Sequence, residues 1–197
     1  MRGETSTVEF LLLQGAKIDA TDHDGWQPLH YAAWDHQEDG STVKFLLEHG
    51  ANANAPTYPG ETPLLAAAQG INGGTDANVL EFIAHGAKVN VQEPLTLETP
   101  LKIAITEHGF PAISGLLCAG ADPNIPDKNG QLPIEQADAA NPEEVAALLA
   151  FGARPAGQWT GPSDDPVVIA ALPWLGSQPR NDKRYAIKTY CSSKAST

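Results

Sequence analysis

Short apolar runs recur along the chain, and each stops at the same dipeptide. The runs at Val8-Glu9-Phe10-Leu11-Leu12-Leu13, Val43-Lys44-Phe45-Leu46-Leu47, Val79-Leu80-Glu81-Phe82-Ile83, Ile113-Ser114-Gly115-Leu116-Leu117 and Val145-Ala146-Ala147-Leu148-Leu149 lead into Gly15-Ala16, Gly50-Ala51, Gly86-Ala87, Gly120-Ala121 and Gly152-Ala153. Each run predicts a helix, which its glycine ends by accepting a positive φ. The closing glycines are spaced by 35, 36, 34 and 32 residues. Such a period implies a stack of small units, none of which could bury its apolar face alone.

A second signature sits between these marks: Gln27-Pro28-Leu29-His30-Tyr31-Ala32-Ala33, Thr62-Pro63-Leu64-Leu65-Ala66-Ala67-Ala68, Thr99-Pro100-Leu101-Lys102-Ile103-Ala104-Ile105 and Leu132-Pro133-Ile134-Glu135-Gln136-Ala137. Proline suits the first turn of a helix, where its missing N–H costs nothing, and threonine suits the cap before it. Thr62 and Thr99 fit both requirements; Gln27 and Leu132 are weaker starts. The alanines allow helix pairs to approach closely. Asp19, Asn54, Asn90 and Asn124 follow the closing glycines at turn-forming positions, from which hairpin fingers such as Ala20-Thr21-Asp22-His23-Asp24-Gly25 are expected to project.

Together the two signatures resemble the ankyrin repeat, with its Thr-Pro-Leu-His-x-Ala-Ala opening and its Val-Val-x-Leu-Leu-Leu-x-x-Gly-Ala-Asp-x-Asn close. Two separated motifs recurring in register make the resemblance specific. It implies an all-α fold, an ankyrin-repeat solenoid of stacked helix-turn-helix units with projecting β-hairpin fingers. The expected divisions are an N-terminal half repeat at 1–20 and four repeats across 21–155, at 21–55, 56–92, 93–125 and 126–155. A capping helix or loop is expected at 156–176 and a disordered basic tail at 177–197. Residues 6–16 match only a second helix, so this opening is either a cap or the remnant of a truncated series. Segment 163–175 reads as a cap on the last repeat or as a partner-binding peptide. The turns Trp34 to Thr42 and Gln69 to Asn78 carry two and three extra residues, and the third finger, Lys88 to Glu98, is one residue longer than the others.

Charge narrows the partner. The formal charge is −12, and residues 180–197 hold five of the twelve basic side chains but one acid, which leaves −16 for residues 1–179. Such a body repels phosphate backbones and anionic lipid and suits a basic protein partner. Direct nucleic-acid or membrane binding is therefore not expected, and a monomer is. There is no run of 18 apolar residues and no signal-peptide core, so an intracellular place, cytoplasmic or nuclear, is expected. Cys118 and Cys191 make neither a disulfide framework nor a metal quartet, and both are expected as free thiols.

Little in the chain suggests chemistry. It has no nucleophile elbow, phosphate loop, His-Glu-x-x-His or dinucleotide fingerprint, so it is read as no enzyme and as needing no cofactor. Asp22-His23-Asp24 alternates along a finger without offering a helix-face pair, so no metal site is assigned. His30 stands where ankyrin repeats use histidine structurally. His49, His85 and His108 lie near helix ends, where the dipole favours positive charge.

In the family, partners meet the finger tips and the inner helix face. Carried over by position, those places hold His23, Asp24, Trp26, Trp34 and Asp35, then Tyr58, Glu61 and Gln69, then Glu98 with Thr106 and Glu107, and finally Lys128 and Gln131. Trp26, Trp34 and Tyr58 are the expected anchors, with the acids selecting a basic ligand. The alternative is that Trp26 and Trp34 pack on each other. The function implied is a protein-protein interaction module, an adaptor or regulator. Its rivals are an ankyrin-containing transcriptional coregulator or pathway accessory factor, a microbial effector, and a fragment of a larger ankyrin-containing protein.

Overall fold

The computed structural model describes residues 2–34, 40–69, 76–107, 110–137 and 142–154. Eight α-helices appear among them: α1 (Arg2–Leu13), α2 (Pro28–Trp34), α3 (Ser41–Glu48), α4 (Pro63–Gln69), α5 (Asp76–Ala84), α6 (Pro100–Glu107), α7 (Phe110–Cys118) and α8 (Pro142–Ala150). The expected segments at 156–176 and 177–197 lie outside the described residues.

The inner helices α2, α4 and α6 each begin at the expected proline. Thr62 Oγ1 accepts the Leu65 N–H at 3.4 Å and Thr99 Oγ1 the Lys102 N–H at 3.3 Å, which satisfies donors that the first helical turn leaves orphaned. α2 has no threonine, and there the Gln27 N–H donates to His30 Nδ1 at 3.1 Å. The outer helices stop as their glycines require. At Gly50 φ is 91°, its N–H reaches Leu47 O, and the Ala51 N–H reaches Leu46 O, the double bond of a left-handed helix end.

Packing runs in two layers. α2, α4 and α6 stack in one, α1, α3, α5, α7 and α8 in the other, and the layers touch where α2 meets α3, α4 meets α5 and α6 meets α7. A continuous core joins Leu29 and Leu46 to Leu64, Phe82, Leu101, Ile113, Leu116 and Leu148. Ala66, Ala67 and Ala104 are wholly covered, and a larger side chain there would hold neighbouring inner helices apart. Closeness in the outer layer comes from Gly115, where an added Cβ would lie 2.4 Å from Leu80 Cδ2. α1 joins through Thr5 Oγ1, 3.0 Å from Thr42 Oγ1 and 3.2 Å from Ser41 Oγ. Its Phe10, Leu11 and Leu13 stay exposed.

The asparagines do more than start turns. Asn54 Nδ2 donates to Gly86 O while its Oδ1 accepts the Lys88 N–H at 2.7 Å. Asn90 repeats this with Gly120 and Asp122, and Asn124 with Gly152 and Arg154. Each amide thus clamps its turn to the corresponding turn of the next repeat, which needs a donor and an acceptor on one side chain.

Two departures from the sequence pattern have local causes. The motif at 132–137 yields only a 3₁₀ turn, Pro133–Glu135, with i→i−3 bonds from Glu135 to Leu132 and from Gln136 to Pro133. Leu132 offers no side-chain cap; instead the Glu135 carboxylate accepts the Leu132 N–H at 2.8 Å, closing a single tight turn. Cys118 is disulfide-bonded, not the free thiol expected of it. Among the described residues no helix is long and apolar enough to cross a membrane.

Candidate functional site

Four fingers project from the stack, at residues 22–26, 57–61, 93–98 and 127–131. Each closes on one backbone bond: Asp22 N–H to Trp26 O, Thr57 to Glu61, Glu93 to Glu98 and Asp127 to Gln131. They are hairpin turns, too short for a strand ladder, and no strand occurs among the described residues.

The first residue of each finger also braces its tip from within. Asp22 Oδ1 accepts the N–H groups of Asp24 and Trp26, Asp127 Oδ1 those of Asn129 and Gln131, and Thr57 Oγ1 that of Glu61. In the longer third finger the longer Glu93 side chain takes this part: its Oε2 accepts the N–H groups of Leu95 and Thr96 and the Thr96 hydroxyl. Neighbouring fingers are tied together as well, through Tyr58 N–H to Asp24 O and Lys128 N–H to Thr96 O.

Fingers one, two and four turn on a glycine with positive φ, at Gly25 (84°), Gly60 (99°) and Gly130 (78°). The equivalent residue of finger three is Leu97, at φ 57°, the only non-glycine with positive φ among the described residues. Its N–H reaches back four residues to Glu93 O, where those glycines reach back three to Asp22, Thr57 and Asp127, and Gln92 Nε2 donates to its carbonyl at 2.8 Å. Left-handed backbone costs an ordinary L-residue about 1–2 kcal/mol.

The first full repeat carries an aromatic group built around Trp26. Its ring centroid lies 5.1 Å from that of Tyr31, 5.7 Å from His30 and 5.8 Å from Trp34, the last edge to face. Trp26 and Trp34 are half-buried, and Trp34 packs on the core. The alternative weighed for these residues is therefore the observed arrangement: they hold each other and the scaffold. Tyr31 is half-exposed, and its hydroxyl donates to Asp22 Oδ2 at 2.6 Å. That bond holds the Asp22 carboxyl below its ordinary value and raises the Tyr31 hydroxyl.

The other expected contact residues are placed unequally. His23 and Asp24 pair at 3.0 Å on an open tip, and Tyr58 is 73% exposed on the next finger. Glu61 is half-buried, and burial with the nearby Glu93 carboxylate pushes its carboxyl up. Gln69 and Glu98 are half-buried, Glu107 is exposed, and Asp35 lies outside the described residues. The structure brings His23, Asp24 and Tyr58 to neighbouring tips and leaves Gln69 and Glu107 at the far ends of inner helices.

Asp22, His23 and Asp24 could bring three ligand atoms within 4.8 Å of one another. Both Asp22 oxygens, however, already accept bonds that shape the finger, so a cation would have to compete with the turn itself. His30 is wholly buried, with Nδ1 accepting from Gln27 and Nε2 3.0 Å from Ala55 O. Burial lowers its pKa and keeps it neutral.

Sequence reasoning missed the apolar tip of finger three, where Leu95 is 79% exposed and Leu97 42%. The signal was present: the one longer finger is also the one whose turn glycine is replaced by leucine. Compared with known proteins, the chain matches the family model described as ankyrin repeats (3 copies) over residues 1–93 and 40–127. No curated protein matches it.

Proposed function

The chain belongs to the ankyrin-repeat family, whose repeats serve in general as protein–protein interaction modules, and on that premise we propose that it is an adaptor or regulator gripping a basic partner protein with its finger tips. The supporting observation is the contrast between the first finger residues, Asp22, Thr57 and Asp127, which are spent on their own turns, and tips that display Tyr58, Asp24 and His23 to solvent. An exposed aromatic beside acids is the composition that carries binding energy at interfaces. Residues 1–154 hold seven basic and twenty-one acidic side chains, a formal charge of −14, which would speed encounter with a cationic partner.

Because Trp26 and Trp34 also support the fold, Tyr58 and Asp24 make the cleaner test. The partner captured from the native cell should bind a Tyr58→Ala, Asp24→Lys variant at least about tenfold more weakly, with helical circular dichroism and melting unchanged. Undiminished binding would remove the tips from the interface.

A further inference from the structure

We propose that finger three is a purpose-built apolar anchor, and that it takes an extended partner segment carrying a pair of apolar side chains with lysine or arginine to one side. This deepens the proposed function and rests on it. The observation that carries it is Leu97. Three of four fingers place a glycine with positive φ just before their last residue, and the longer third finger, whose closing bonds each span one residue more, places Leu97 there. Glycine at 97 would make that turn without strain, yet leucine is there, in the left-handed region, with 42% of its surface open to solvent. Strain held in place by the surrounding structure points to a use for the side chain displayed.

The finger is also made rigid around that side chain. Glu93, 9% exposed, gathers Leu95 and Thr96 onto one carboxylate oxygen, and Gln92 Nε2 bridges Leu97 O and Pro126 O, the second bond reaching toward finger four. A tip so fixed loses little freedom on binding. On finger two, exposed Tyr58 stands against Gly25 of finger one, and Gly60 lies close to Pro94 of finger three, so finger two joins the two tips.

Charge gives this row of tips a direction. Asp24 and Glu61 lie toward fingers one and two, while Lys128, tied to Thr96 O, stands on the finger-four side. A segment crossing the tips therefore places its cations over fingers one and two and its apolar pair over Leu95 and Leu97. Nucleic acid does not fit a body of charge −14.

The test is selection of a random peptide library on the full chain, followed by binding of the selected peptides to Leu97→Gly, Leu95→Ala and Tyr58→Ala, with melting of each variant. The expected consensus is an apolar pair with Lys or Arg on one side only. Leu97→Gly should raise the melting temperature by about 2–4 °C while weakening binding at least about tenfold. Leu95→Ala should weaken binding without changing melting. A fall in melting for Leu97→Gly would overturn the proposal, because Leu97 would then be serving the fold. Peptides that resist both leucine changes but are lost with Tyr58→Ala would overturn it and leave the proposed function standing, whereas no enriched peptide would sink both. A synthetic peptide of residues 177–197 displacing the selected peptides, or self-association through these leucines, would overturn it in favour of an occupant from this chain.

Discussion

His30 on α2 and Lys102 on α6 occupy the same register position, two residues after the helix-opening proline, and each reaches to a residue 25 positions later. They tie an inner helix to the chain of the next repeat by opposite means. His30 stays neutral, bonding Gln27 N–H and Ala55 O within one buried imidazole. Lys102, wholly buried, places its ammonium 2.6 Å from Asp127 and donates to Gln131 O at 3.0 Å. The repeat between them uses neither: Leu65 at the same position packs against Ala68 and Ile103. One site in the scaffold thus accepts three chemistries, provided that whatever is buried is satisfied.

Breaking the ionic tie should cost most. Lys102→Met leaves the Asp127 carboxylate buried without its partner, and the melting temperature should fall by about 10 °C. Removing both charges, in Lys102→Met with Asp127→Asn, should recover part of that loss, since the amide oxygen still accepts the Asn129 and Gln131 N–H groups without burying a charge. If the double variant is no more stable than the single, the carboxylate is not the source of the penalty. Breaking the neutral tie should cost less: His30→Leu strands Gln27 N–H and Ala55 O, for about 2–3 kcal/mol in chemical denaturation.

The two ties also separate by pH. His30 titrates below its ordinary 6.5 in the fold, so the unfolded chain binds that proton more readily and stability declines as pH falls below 6.5. Asp127 is held at about 2 against an ordinary 3.8, chiefly by the Lys102 bond, so its contribution is complete above 3.8 and disappears as pH falls toward 2. Glu61, raised above its ordinary 4.5, acts in the opposite sense as pH rises through its folded value. Denaturation midpoints followed against pH should lose the upper decline in His30→Leu and the lower one in Asp127→Asn. A profile that keeps both declines in those variants would contradict the assignments.

Smaller effects should mark residues of lesser burial. Asn90→Asp keeps the acceptor for Asp122 N–H but turns a carboxylate on Gly120 O, and should cost about 1 kcal/mol. Gly115→Ala should change stability by no more than about 0.5 kcal/mol, because the flexible end of Leu80 yields while the helix gains from losing glycine.

Much of this was legible in the chain. The Gly-Ala marks and the prolines placed every described helix, because helix ends depend on local backbone chemistry. The structural part of His30 and the alternative in which Trp26 meets Trp34 were both readable in outline. Contacts between repeats were harder to foresee. That Lys102 would choose Asp127, or that Asn54 would bridge to Gly86 and Lys88, depends on how far each repeat is rotated on its neighbour, which periodicity does not state. The surroundings of Trp26 were hidden for the same reason: its variable position is legible in the chain, but that its ring meets Tyr31 as well as Trp34 is not. Leu97 was visible as a missing glycine, but its meaning needed the φ angle.

The central claim, that the tips bind and the stack supports, is tested most directly by amide hydrogen exchange of the chain with and without its captured partner. Protection should rise at 57–61 and 93–98 and stay unchanged along α3, α5 and α7. New protection confined to those outer helices, with the fingers exchanging as before, would contradict it.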